Sequence, residues 1–288
     1  MAPVAADNEE ALRAWNGVLF DRFLEFRHLF VGSVASHSDE ALRAYPPPAG
    51  GRALDIGCGF GDTTMQIAGL LGAGGSALGV DVAPRFVEQA REDALQAGVT
   101  NVAFGVADVQ ATSFDETFDY AFSRFGTMFF ANPVAALRNV REALAPGGRL
   151  TMIVWRRRED NPWLHEAELV VKPLIDEPEE TDEARCGPGP FSMANADTVS
   201  QMLLGAGFDE IDLRRCDRPF RFGGDVEEAV EFNLALGPAA EVVRLAGDEG
   251  EAMRPYLAEL LRPVLERFST PEGIVAASST WIVSAVAR

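Results

Sequence analysis

Apolar residues recur at spacings of three and four through Leu12, Trp15, Leu19 and Phe23, which predicts one apolar face of a helical arm over residues 7–44. Tyr45-Pro-Pro-Pro-Ala-Gly-Gly51 stops that pattern and reads as a linker. From residue 52 the period changes. Apolar runs at 52–56, 77–82, 102–107, 120–123 and 149–155 are too short for amphipathic helices and read as buried strands. Helical stretches at 62–71, 84–97 and 133–144 separate them. Pro84 falls in the first turn of its helix, where a missing N–H costs nothing. Gly72, Gly98 and Pro146-Gly147-Gly148 supply the stops. Alternation of this kind implies an α/β chain with a doubly wound, parallel sheet.

Residues 156–195 break the rhythm. A stretch this long without clear strands, inside a compact domain, is expected to serve as a lid. A helix over 196–204, a strand over 208–216, a mainly helical segment over 225–267 and a β-branched strand over 278–286 complete the chain. The expected organisation is an arm (1–48), a ligand-binding half (49–155), an insert (156–195) and the rest of the sheet with its helical insertion (196–288).

The most distinctive stretch follows the first strand: Asp55-Ile56-Gly57-Cys58-Gly59-Phe60-Gly61-Asp62. Alternate glycines permit a tight turn and a close approach by a ligand. Asp62 and Thr63 suit the start of the next helix, whose free N–H groups face whatever lies above the turn. A dinucleotide fingerprint is G-x-G-x-x-G; here the third glycine comes one residue early. In doubly wound sheets ligands bind beyond the C-terminal strand ends, and Asp55, Asp81, Asp108 and Ser123 all lie at such ends.

Composition narrows the function. The chain has 288 residues, 47% hydrophobic and 24% charged, an ordinary globular make-up. Its net charge of −19 argues against nucleic acid and against anionic membrane surfaces. Part of that charge lies in residues 176–183, read as a solvated loop. No apolar run reaches the length of a membrane span. The opening residues are acidic and lack the pattern of a signal peptide, so a cytoplasmic location is expected. Cys58, Cys186 and Cys216 are too far apart for a disulfide framework or a metal spacing, and no metal is expected.

Four motifs in order resemble the class I S-adenosylmethionine-dependent methyltransferases, in particular a small-molecule branch that includes the quinone-biosynthesis enzymes. They are Asp55-x-Gly57-x-Gly59-x-Gly61, Asp81 twenty residues after Gly61, Ala107-Asp108, and Leu144-x-Pro146-Gly147-Gly148. The resemblance covers about residues 50–155. It implies a Rossmann-like, seven-stranded, mostly parallel sheet with an antiparallel C-terminal strand, S-adenosylmethionine as cofactor, and a small-molecule methyl acceptor. It places Asp55 near the cofactor's ammonium and Gly57, Cys58, Gly59 and Gly61 along its methionine part. It puts Asp81 and Val82 at the ribose, Asp108 and Val109 at the adenine, and Ser123 at the edge of the cofactor site.

Around the acceptor the residues themselves leave more open. Phe129, Trp163 and Phe191 are candidate acceptor contacts, and Arg124 is either paired with a nearby acid or touches a ligand. A general base is needed only for an acceptor proton of high pKa; His37 is the first candidate and His165 the second. Two other readings compete: a nicotinamide oxidoreductase, which the glycine spacing and Glu168 in place of a tyrosine before Lys172 disfavour, and a non-catalytic cofactor-binding subunit.

Overall fold

A computed structural model describes residues 3–175, 181 and 183–288. Most of the acidic stretch read as a solvated loop, residues 176–180 and 182, lies outside the described residues. The arm is helical throughout, but in pieces. Helix α1 (Glu9–Ala14) passes into a π-helical turn at Trp15–Leu19, then α2 (Phe20–Glu25) and α3 (Arg27–Ala44). Gly17 sits inside the π turn with φ −110° and ψ −119°, which bends the arm where no side chain resists.

Next come β1 (Arg52–Ile56), α4 (Asp62–Leu71), β2 (Ser76–Asp81), α5 (Pro84–Gln96), β3 (Val102–Val106) and β4 (Phe118–Arg124). Then follow α6 (Pro133–Ala143), β5 (Leu144–Trp155), α7 (Pro162–Val171), α8 (Ala196–Ala206) and β6 (Phe208–Gly223). Helices α9 (Val226–Ala235), α10 (Pro238–Leu245) and α11 (Gly247–Leu265), the short β7 (Ser269–Thr270) and β8 (Gly273–Ala287) complete the chain. The strand order is β3-β2-β1-β4-β5-β8-β6, with β7 paired to β8. Strands β1 to β5 run parallel, whereas β8 is antiparallel to both β5 and β6. The expected antiparallel C-terminal strand is therefore present, inserted between β5 and β6.

The central strands are apolar on both faces because helices cover both. Leu54, Ile56, Tyr120 and Phe122 are fully buried. Strand β6 extends seven residues beyond the expected end at 216, straight through Pro219, which pairs with Ala277. Proline is tolerated there because β6 is an edge strand and only one of its sides must pair. The chain winds outward from β1 in one direction to β2 and β3, and returns beside β1 to build β4 and β5. The loops after β1 and β4 thus diverge at the switch point, where a ligand fits between them.

Candidate active site

A cavity of about 500 Å³ opens over that switch point. Its floor is the β1 turn. Gly57 and Gly126, from the loops after β1 and β4, meet closely enough that a Cβ on Gly57 would lie 3.0 Å from Gly126 Cα. The three turn glycines do different work. All have positive φ. A Cβ on Gly61 would press into Phe104 and Ala90 at 2.7–2.9 Å, so Gly61 permits helix packing. A Cβ on Gly59 would meet no protein atom within 4 Å, which leaves the space above it to a ligand. Gly57, Cys58 and Gly59 line the cavity; Gly61 does not.

The strand-end acids also separate. Asp81 lines the cavity, and each carboxylate oxygen accepts one backbone N–H, from Ala83 and Gly59, both at 3.0 Å. Burial raises its pKa, and the backbone donors oppose that rise. A carboxylate offers about four lone-pair positions, so Asp81 keeps acceptor capacity toward the cavity it lines. Asp108 is different. Its oxygens accept from Ala5 N (2.8 Å), Gln110 N (2.9 Å) and both ways from Asn8 Nδ2 (3.0 Å). Val109 lines the cavity beside it.

Asp55, expected near a ligand ammonium, is sealed beneath the turn. It is fully buried, and one oxygen accepts the hydroxyls of Thr63 (2.8 Å) and Thr64 (2.6 Å) while the other has no partner among the described residues. Burial pushes its pKa up to about 6 against those two hydrogen bonds. Asp55 ties β1 to the start of α4 and is one layer removed from the cavity. Ser123 is likewise no lining residue: its hydroxyl donates to Ile56 O at 2.8 Å and clips β4 to β1.

The other half of the cavity is an aromatic chamber. Trp15, Phe23 and Phe30 of the arm face Phe125, Phe129, Trp155, Trp163 and Phe232. Trp163 stacks on Phe220 at 3.8 Å and Phe125 on Trp155 at 4.0 Å. Phe125 holds φ +63°, an unusual conformation for a bulky residue, fixed by its N–H bonding to Ile153 O at 2.9 Å. Arg124 lines the junction of the halves and is paired with Asp62 at 2.8 Å and Ser38 at 3.3 Å. Phe191 lies behind the wall, with the Arg158 guanidinium over its ring at 5.3 Å; the neighbouring Gly187 to Pro190 line the cavity in its place.

Neither candidate base reaches the cavity. His37 is fully buried within α3, hydrogen-bonded to Ser278 (2.7 Å) and Thr280 (3.0 Å), behind the edge of Trp155. Burial, then Arg218, lowers its pKa to about 4, so it is a neutral strut between the arm and β8. Helix α3 runs without a break through residues 36–39, within the helical arm expected over 7–44. His165 points away on the first turns of α7, whose Trp163, Leu164 and Glu168 face inward. No histidine lines the cavity among the described residues; Glu168 and Glu241 do. Asn8, Arg158 and Cys186 were not anticipated. They come from segments with no motif, and only the folded arm and insert bring them to the site.

The strand order and the glycine turn at its switch point define a class I methyltransferase fold. The chain belongs to the methyltransferase-domain family, whose model matches residues 48–201, more than half of its length. It is similar to the aklanonic acid methyltransferase DauC of a Streptomyces species, 34% identical over 36% of this chain and 48% of that one. It is also similar to the ubiquinone/menaquinone biosynthesis C-methyltransferase UbiE of Azotobacter vinelandii, 30% identical over 56% of this chain and 67% of that one. The match thus spans about half of the first relative's length and two thirds of the second's. Among solved structures, the fold resembles a Haemonchus contortus phosphoethanolamine N-methyltransferase in complex with S-adenosyl-L-methionine. That likeness has a TM-score of 0.58 at 17% identity and covers 98% of this chain and 60% of that one. The YcgJ protein of Bacillus subtilis gives 0.55 at 17% identity over 88% and 99%.

Proposed function

We propose that the protein transfers a methyl group from S-adenosylmethionine to a small, mostly apolar or aromatic molecule by direct in-line displacement. One observation carries this reading: a single cavity joins the glycine turn and the half-satisfied Asp81 to an aromatic chamber. The residues fit the donor. Space is open over Gly59, Asp81 retains acceptor capacity for a ribose diol, and the Val109 N–H has no partner among the described residues. S-adenosylmethionine supplies a methyl already activated by its sulfonium. The chain's contribution is to hold the partners in line and exclude water, with Trp15 and Phe129 on one side and Trp155 and Trp163 on the other. The arm and the described parts of the insert, residues 156–175 and 183–195, together roof the chamber. Glu168 takes the place of the histidines as the candidate to receive an acceptor proton, since it lines the chamber with Arg158 Nε 3.3 Å from its carboxylate. The names of the relatives, an aklanonic acid methyltransferase and a ubiquinone/menaquinone biosynthesis C-methyltransferase, support a small-molecule acceptor.

Calorimetry with S-adenosylhomocysteine and NAD tests the donor. Binding of the first and not the second is expected, with Asp81→Ala weakening it roughly tenfold or more through loss of charge-assisted bonds. Tight NAD binding with no response to S-adenosylhomocysteine would overturn the reading.

A further inference from the structure

Charge pairs off unevenly inside the cavity. Around the aromatic chamber each lining acid has a cation of its own: Asp62 meets Arg124 at 2.8 Å, Glu168 meets Arg158 at 3.3 Å and Glu241 meets Arg244 at 2.8 Å. Arg185 is engaged as well. Two lining cations are left over, Arg22 and Lys172, the one lysine of the chain. Lys172 is exposed. Arg22 is more enclosed, its side chain 16% exposed, on α2 between the lining residues Leu19 and Phe23. A guanidinium carries five N–H donors in a planar fork. Here Nη1 makes one long bond to Ala235 O, at 3.4 Å, and Nη2 lies 3.6 Å from Glu251. Glu251 is half-exposed and lies equally far, 3.6 Å, from Arg254. Burial, then Arg254, lowers the pKa of Arg22, as expected for a charge taken out of water without full compensation.

We propose that Arg22 sets the specificity of the acceptor site, and that the acceptor is an aromatic carboxylate whose carboxylate pairs with the Arg22 guanidinium while its rings lie among Phe23, Trp163 and Phe232. The fork of an arginine matches the two oxygens of a carboxylate in one plane, and the pair is strong where water is excluded. A single guanidinium balances a monoanion, which favours a carboxylate over a phosphate dianion. Arg22 also has a structural share, because Ala235 is the last residue of α9 and its carbonyl is one that the helix leaves unpaired. That bond occupies one donor of five and leaves the rest to a ligand. The surface of a chain at −19 repels small anions in general. A cation inside an apolar chamber therefore selects anions that carry enough aromatic surface to enter it. This rests on the aromatic-acceptor reading above.

The test is calorimetry at pH 7.5 with S-adenosylhomocysteine present and two probes of one shape, 2-naphthoate and its neutral amide, 2-naphthamide. Wild type should bind the carboxylate about tenfold more tightly than the amide, the size of a charge-assisted hydrogen bond. Arg22→Gln, which keeps a donor for Ala235, should bind the two alike, with the amide's affinity as in wild type. Arg22→Lys, which keeps the charge and loses the fork, should retain a preference of a few-fold. Wild type that binds both probes without preference overturns the inference and leaves the aromatic-acceptor reading standing. So does a preference that survives in Arg22→Gln, or one that disappears in Lys172→Gln instead, since either assigns the carboxylate to another cation. Equal loss of both probes in Arg22→Gln would make Arg22 a structural residue only, and the inference fails. Wild type that binds S-adenosylhomocysteine and neither probe overturns the aromatic-acceptor reading itself.

Discussion

Two buried ionisable residues, Asp55 and His37, carry opposite proton linkages. The fold raises Asp55 from 3.8 to about 6 by burial, so it favours the protonated acid. Its contribution to stability is complete below pH 3.8 and is lost as pH rises through 6. His37 falls from 6.5 to about 4, again by burial first and Arg218 second, so the fold favours neutral imidazole. That contribution is present above pH 6.5 and lost as pH falls through 4. Each is worth up to roughly 3 kcal/mol at full expression, and between pH 4 and 6 they oppose each other. Wild type should therefore show a shallow stability profile there, and single variants should unmask the two slopes. The melting temperature of Asp55→Asn, relative to wild type, should rise by a few degrees between pH 4.5 and 7.5. That of His37→Asn should rise, relative to wild type, as pH falls from 6.5 to 4. A difference that does not move with pH in either variant would remove that residue from the linkage.

At the scale of elements, the arm is the part that turns an open crevice into a cavity. Two latches fasten it to the insert: Trp15 Nε1 donates to Cys186 O at 3.0 Å, and Arg185 N donates to Glu10 Oε1 at 2.7 Å. Trp15 also meets Phe129 edge-on at 4.8 Å. Each bond is worth about 1 kcal/mol net. In the double variant Glu10→Ala/Trp15→Phe the amides of α1 should exchange hydrogen roughly tenfold faster, with β1 to β5 unchanged. Equal protection of α1 in both proteins would show that the latches do not hold the arm. The same scale explains what the sequence discloses. Helix α4 and strand β1 begin and end where the glycine turn and apolar run place them, because local chemistry fixes both. The continuity of α3 through Ser36-His37-Ser38-Asp39 is a tertiary effect: Ser38 and His37 find partners in Arg124 and β8, so polar residues that would otherwise favour a turn stay helical. Asp81 was legible from its strand end, and Asp55 equally so as a motif. Which of the two faces the cavity depended on Thr63 and Thr64 one turn further on, and spacing alone does not specify that.

The whole molecule adds a field to the local contacts. At −19 the chain is strongly acidic, whereas the cavity lining is balanced, with Asp62, Asp81, Asp108, Glu168 and Glu241 against Arg22, Arg124, Arg158, Lys172 and Arg185. Close pairs of Asp62 with Arg124, Glu168 with Arg158 and Glu241 with Arg244 offset the lining charge locally, so the field that remains is that of the whole chain. The proposed donor and its product differ by one positive charge at sulfur and little else. An acidic field should favour the charged donor over the neutral sulfide, which speeds exchange of product for fresh donor after turnover. Fields of this kind are screened beyond a Debye length of about 10 Å at 0.1 M salt and about 3 Å at 1 M, whereas contacts inside the cavity are screened far less. The ratio of S-adenosylmethionine to S-adenosylhomocysteine affinities should therefore fall by a few-fold as sodium chloride rises from 0.05 to 0.5 M, with the product's own affinity nearly flat. Calorimetric titrations of both ligands across that range measure it. A ratio independent of salt would assign the discrimination to short-range contacts inside the cavity and would leave the surface charge with no part in it.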